Sequence, residues 1–89
     1  MFSFSHEVSE AFEIWAISRG AFPVGDEQIL RNDAEGWETI VAPGAEPPTA
    51  ILCVVGKDEW LAVRLSPDRS VKEHMDFALA KLKRTYGLG

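Results

Sequence analysis

The sequence predicts an α+β domain, a two-layer sandwich in which an antiparallel sheet of three to four strands carries two helices on one face. Apolar residues recur with helical period near both ends of the chain. They fall at Val8, Ala11, Phe12 and Trp15, and again at Val71, Met75, Ala78, Leu79, Leu82 and Tyr86. Between these stripes lie β-branched runs of strand length, bounded by glycine and proline turns. Each helix has a single apolar stripe, so the economical arrangement sets both on the same side of the sheet, in the order α-β-β-β-α with room for a further strand before Trp37.

The first helix is expected over residues 6–19. Ser5 supplies a cap, Glu7 sits in the first turn where the helix dipole favours an acid, and Gly20 and Pro23 stop it. Residues 21–27 read as a loop, and Gln28 to Arg31 as a short strand. Asn32 to Gly36 is turn chemistry. From Trp37 to Ala42 the chain alternates, with Trp37, Thr39 and Val41 on one side and Glu38, Ile40 and Ala42 on the other. Pro43-Gly44 and Pro47-Pro48 make a stiff connection. Thr49 to Val55 is apolar on both sides, as a central strand should be, and Gly56 to Glu59 turns it back into Trp60 to Leu65. Ser70-Val71-Lys72-Glu73 is a capping box opening the second helix; Gly87 ends it, with Lys81, Lys83 and Arg84 in its last turns.

The chain's 89 residues make one domain, residues 1–89. A single cysteine, Cys53, allows no internal disulfide, and small secreted domains usually need such staples. No basic stretch followed by an apolar run opens the sequence, and the longest apolar stretch, Ala50 to Val55, is too short to span a bilayer. A soluble protein of the cytoplasm is expected, with no membrane partner. The net charge of −5 is unevenly spread. Residues 1–59 hold eleven acids against three bases, a balance of −8, and residues 60–89 hold three acids against six bases, a balance of +3. Such acidity repels phosphate backbones and steers toward basic partners, although for many small proteins it serves solubility alone.

Catalytic and metal-binding patterns do not assemble. His6-Glu7-Val8-Ser9-Glu10 approaches the zinc helix H-E-x-x-H, but its second imidazole is replaced by Glu10. Gly20 and Gly25 have the spacing of a phosphate loop, but the lysine is absent and Asp26-Glu27 follow. Cys53 sits mid-strand between Leu52 and Val54, where a thiol acts as a small hydrophobe and burial disfavours its thiolate. The acid pairs Asp26-Glu27 and Asp58-Glu59 fall at turns, where carboxylates are normally solvated. No catalytic residue, metal ligand or cofactor is assigned, and the chain is not expected to be an enzyme.

Three groups of residues exceed what a minimal core needs. Ile14 and Ile17 lie away from the Val8–Trp15 stripe, beside Glu10 and Glu13; the alternative is a helix buried on two sides. Phe77 points opposite the Met75–Leu82 stripe among Glu73, Lys81 and Arg84, a composition found at interface hot spots. Trp60 and Arg64 share the strand face opposite Leu61, Val63 and Leu65, with Trp37 as a candidate third member.

Phe12-Glu13-Ile14-Trp15-Ala16-Ile17-Ser18-Arg19-Gly20, with the later Gly36-Trp37, resembles the pattern F-E-x-W-x-x-S-x-G and G-W of small proteins from bacteriophages and prophages. The resemblance covers under a third of the chain, departs from the pattern in the strand-like sequence after Trp37, and carries no functional residues with it. It implies a mobile-element origin, where small acidic proteins inhibit host machinery, anti-CRISPR proteins among them; the location would then be the host cytoplasm.

The expected function is therefore that of a protein-binding inhibitor or adaptor which occupies a basic, nucleic-acid-binding surface of its target. Its acidic patch would be Glu7, Glu10, Glu13, Asp26, Glu27, Glu35 and Glu38, and its apolar contacts Ile14, Ile17, Trp37, Trp60, Arg64 and Phe77. One alternative is a homodimeric accessory subunit joined through the tryptophan face or Phe77. Another is a nucleic-acid-binding module using Lys72, Lys81, Lys83 and Arg84, against which the net acidity argues.

Overall fold

The computed structural model describes residues 4–25, 29–42 and 44–88, with side chains from His6 onward. Capping chemistry sets both ends of helix α2 (Val71–Tyr86). The Ser70 hydroxyl accepts from the Glu73 amide at 3.1 Å. Gly87 takes the left-handed conformation, φ 67°, which lets both its own amide and that of Leu88 reach the Lys83 carbonyl. Helix α1 (Phe4–Ser18) ends in the same way. Gly20 has φ 88°, its amide bonds to the Ile17 carbonyl at 3.0 Å, and the Ala21 amide reaches back to the Ala16 carbonyl at 3.0 Å. Ser5 lies inside α1 rather than at its cap, and the helix begins two residues before the expected start.

Among the described residues the chain between the helices forms five strands. They are β1 (Phe22–Val24), β2 (Ile29–Asn32), β3 (Trp37–Ala42), β4 (Thr49–Val54) and β5 (Trp60–Arg64). All neighbours pair antiparallel in the order β1-β2-β3-β4-β5, an uninterrupted meander. The expected α+β class with an antiparallel sheet and two helices is present, with five strands in place of three or four. The extra strand is β1, inside residues expected to be loop. Pro23 argues against a ladder position in general, but β1 is an edge, where a missing amide costs nothing on the solvent side.

Strand alternation decides what faces the helices. Leu30 and Asn32, Trp37 and Thr39, Ala50, Leu52 and Val54, and Val63 are all buried on one side of the sheet. The same cluster includes Val8, Phe12, Trp15 and Ala16 from α1 and Met75, Ala78, Leu79 and Leu82 from α2, so both helices cover one face. Ala11, placed by period in the α1 stripe, is exposed; Ala16 is the residue that the core takes instead. Phe12, Trp15 and Trp37 stack through the centre, with ring centroids 6.4 Å and 5.6 Å apart in turn.

Polar groups lock this layer together. The buried Asn32 donates to the Arg19 carbonyl at 2.7 Å and accepts from the Glu35 amide at 2.8 Å, tying the end of α1 to the β2–β3 turn. The Thr39 hydroxyl donates to the Ile51 carbonyl at 2.8 Å.

Candidate functional site

With both helices on one face, the other face of the sheet is left uncovered among the described residues, and its side chains fall into cross-strand rows. One row runs Phe22, Arg31, Glu38, Cys53 and Trp60 across all five strands. Its centre is an ion pair, in which the Arg31 guanidinium donates to one Glu38 oxygen at 3.1 Å and 3.0 Å, and its two ends are exposed aromatics. The next row is apolar throughout: Val24 lies beside Ile29 on β1 and β2, and Ile40, Ile51 and Ala62 follow on β3 to β5. A third row, Ala42, Thr49 and Arg64, closes the surface. An apolar band between rows that hold arginine, glutamate and aromatics is the make-up of a protein interface, an apolar centre within a polar rim. Phe22, Ile40 and Trp60 are 44%, 37% and 61% exposed.

Trp60 and Arg64 do share this face, as their spacing requires. Trp37 does not join them: it is 0% exposed and points into the core. A strand period of two separates Trp37 from the Glu38 side, so odd and even positions of β3 see opposite layers. Phe22, Ile29, Ile40 and Ile51 belong to this face without standing out in the sequence as contact residues. Phe22 falls inside the expected loop of residues 21–27, Ile29 in the short strand expected from Gln28 to Arg31, and Ile51 in a strand that is apolar on both sides. For Ile40 the alternation of β3, which sets it on the Glu38 side, is the signal in the sequence.

The acidic patch divides. Glu7, Glu10 and Glu13 are exposed on α1 together with Ile14 and Ile17, and the His6 imidazole lies 3.8 Å from Glu10. Glu38 is engaged by Arg31. Glu35 is structural: it accepts from Trp37 Nε1 at 2.8 Å and meets Lys83 Nζ at 2.9 Å. Those two donors lower its pKa below the ordinary carboxylate value against the opposing effect of burial. Asp26 and Glu27 lie outside the described residues. Phe77 is 67% exposed on the outer side of α2. Of the four bases proposed to meet nucleic acid, Lys72 and Lys83 are held by Asp76 and Glu35. Among the described residues Lys81 and Arg84 form no ion pair.

Cys53 lies in the uncovered face between Glu38 and Trp60, and partial burial, with the charge of Glu38, pushes its thiol pKa up. His74 is 2.9 Å from the Ser66 carbonyl. Among the described residues no group of three or more histidine, cysteine or acidic side chains is placed to hold a metal ion. A cleft of about 340 Å³ opens between α1 and the β1–β3 end of the sheet, lined by Phe12, Leu30 and Val41 with Ser9 and Glu13 as its polar side chains. That is fewer converging polar groups than small-molecule sites use. No helix among the described residues is long and apolar enough to cross a membrane. No family model, curated protein or solved structure matches this chain.

Proposed function

We propose that the protein is a non-enzymatic protein-binding adaptor or inhibitor whose main contact surface is the uncovered face of the sheet. The observation that carries this reading is the apolar row of Ile40, Ile51 and Ala62, left without a covering layer among the described residues and flanked by Phe22 and Trp60. Monomeric soluble proteins rarely leave a contiguous apolar band uncovered, and such bands mark sites of association. The partner would present a complementary apolar surface, with acidic and basic groups set to meet Arg31, Glu38 and Arg64.

Affinity capture from the source cell tests this. Ile40→Lys puts a charge at the centre of the band and is expected to cost about 2 kcal/mol or more of binding, roughly thirtyfold, to whatever the wild-type chain retains. Equal retention by wild type and Ile40→Lys, with the variant folded, would remove the sheet face from the reading.

The exposure of Glu7, Glu10 and Glu13 around Ile14 and Ile17 favours a second role, steering toward a basic nucleic-acid-binding surface of the target. Reversing Glu10 and Glu13 to lysine is expected to slow association by about tenfold at low salt while leaving dissociation nearly unchanged. An unchanged association rate would count against steering and leave the sheet face untouched.

A further inference from the structure

The two edges of the sheet are built differently. Edge β1 is three residues long and carries Pro23, both common devices for blocking strand addition. Edge β5, Trp60-Leu61-Ala62-Val63-Arg64, is longer and has no proline, bulge or inward-pointing charge. Its backbone direction follows from its bonds to β4. The Val54 amide donates to the Glu59 carbonyl at 2.9 Å and the Leu65 amide to the Pro48 carbonyl at 2.7 Å, so odd-numbered residues turn their amides and carbonyls toward β4. The amides and carbonyls of Trp60, Ala62 and Arg64 therefore point outward, and β5 has no strand on that side among the described residues.

We infer that β5 pairs with β5 of a second copy of this chain, antiparallel about a two-fold axis through Ala62. In that register Ala62 faces Ala62 of the partner and Trp60 faces Arg64 of the partner on both sides of the axis. The three pairs are all of the hydrogen-bonded kind and exchange about six backbone hydrogen bonds. Shifting the register by two residues leaves about four within the strand and leaves Arg64 without its tryptophan. Side chains agree with backbone. The smallest residue of the outward-facing set lies at the axis, and each end brings a cation against an indole face. Among the described residues neither Trp60 nor Arg64 has any other hydrogen-bond, ion-pair or ring partner, and Trp60 is 61% exposed. On the helix side Leu61, half-buried, meets Val63 of the partner, which covers its remaining exposed surface. The product is a ten-stranded sheet with two copies of the apolar face side by side. A five-residue seam is short beside the ~1,200–2,000 Å² of stable complexes, so the association is expected to be weak and to depend on concentration.

This inference goes beyond the binding role and does not depend on it. Sedimentation equilibrium of the wild-type chain from ~10 µM to ~1 mM should show the average mass rising from 9.9 kDa toward twice that value. Over the same range, amide exchange at Trp60, Ala62 and Arg64 should slow by about tenfold or more, with the amides of β1 unaffected. Ala62→Pro removes the central donor without touching a bond to β4 and is expected to stay monomeric. Should it fail to fold, Ala62→Asp sets two like charges across the axis on a surface exposed in the single chain, and should weaken dimerisation at least tenfold. A chain that stays at 9.9 kDa overturns the proposal, as does a dimer that forms equally well with Ala62→Asp or leaves the three amides unprotected. A monomer that still binds a partner through Ile40 sinks the dimer alone; a dimer indifferent to Ile40→Lys in partner capture sinks the sheet-face reading alone.

Discussion

Replacing Trp37 with alanine is expected to remove ~3–5 kcal/mol of folding stability, the cost of emptying a large aromatic site in a packed core. A chain of 89 residues has a total of roughly 4–13 kcal/mol at the usual per-residue stability, so the loss takes a large share of it and should lower the melting temperature by about 10 °C or more. Trp37 is fully buried, stacks on Trp15 with centroids 5.6 Å apart, and donates its indole N–H to Glu35. Removing it takes away the apolar body and one of the two donors that keep Glu35 ionised beside Lys83. Trp37→Phe separates the two effects: it retains most of the ring volume and should cost only ~1–2 kcal/mol. Urea unfolding followed by far-ultraviolet circular dichroism measures both variants. A loss below ~1 kcal/mol for Trp37→Ala would mean that the β2–β3–α1 core is assembled differently.

Acid should destabilise the protein through Asp76, which joins the two helices. Its carboxylate accepts from Trp15 Nε1 and Lys72 Nζ at 2.8 Å and 2.7 Å, and from Arg19. Burial opposes ionisation, but these donors and the Arg19 charge outweigh it and hold the pKa at about 2. An unfolded aspartate titrates near ~3.9, so the folded state binds its proton less readily than the unfolded one. The stabilisation, on the order of 2 kcal/mol, is thus fully present above about pH 5 and is lost as pH falls toward and through 2. Asp76→Asn keeps the shape and one acceptor but loses the charge. Its stability deficit should be ~1–3 kcal/mol at neutral pH and should shrink steadily toward about pH 2. A deficit of equal size at both ends of that range would assign the effect to packing rather than to the carboxylate.

Much of the fold was legible because it depends on neighbours along the chain. The Ser70–Glu73 cap, the glycines after each helix, and the separation of Trp37 and Thr39 from Glu38 and Ile40 are relations between residues one to five apart, and all are present. The Met75–Leu82 stripe is buried as its period requires. Strand β1 was missed because three residues containing a proline carry no periodic signal; its pairing with β2 makes it a strand. The candidate surface was legible in part. Ile14, Ile17, Trp60 and Phe77 are exposed, as the mismatch with each apolar stripe suggested, whereas Glu35 resembles any other turn acid until Lys83 is brought beside it.

Local sequence by itself determined where each helix stops and which side chains share a face, since period and capping are properties of consecutive residues. Tertiary structure decided which face is sealed. Nothing within β3 says that the Trp37 side meets two helices while the Ile40 side meets none among the described residues, because that depends on where the chain goes after each strand. The bonds that close the helix layer follow the same logic. Trp15 and Asp76 are 61 positions apart, and only the meander between them sets the indole against the carboxylate.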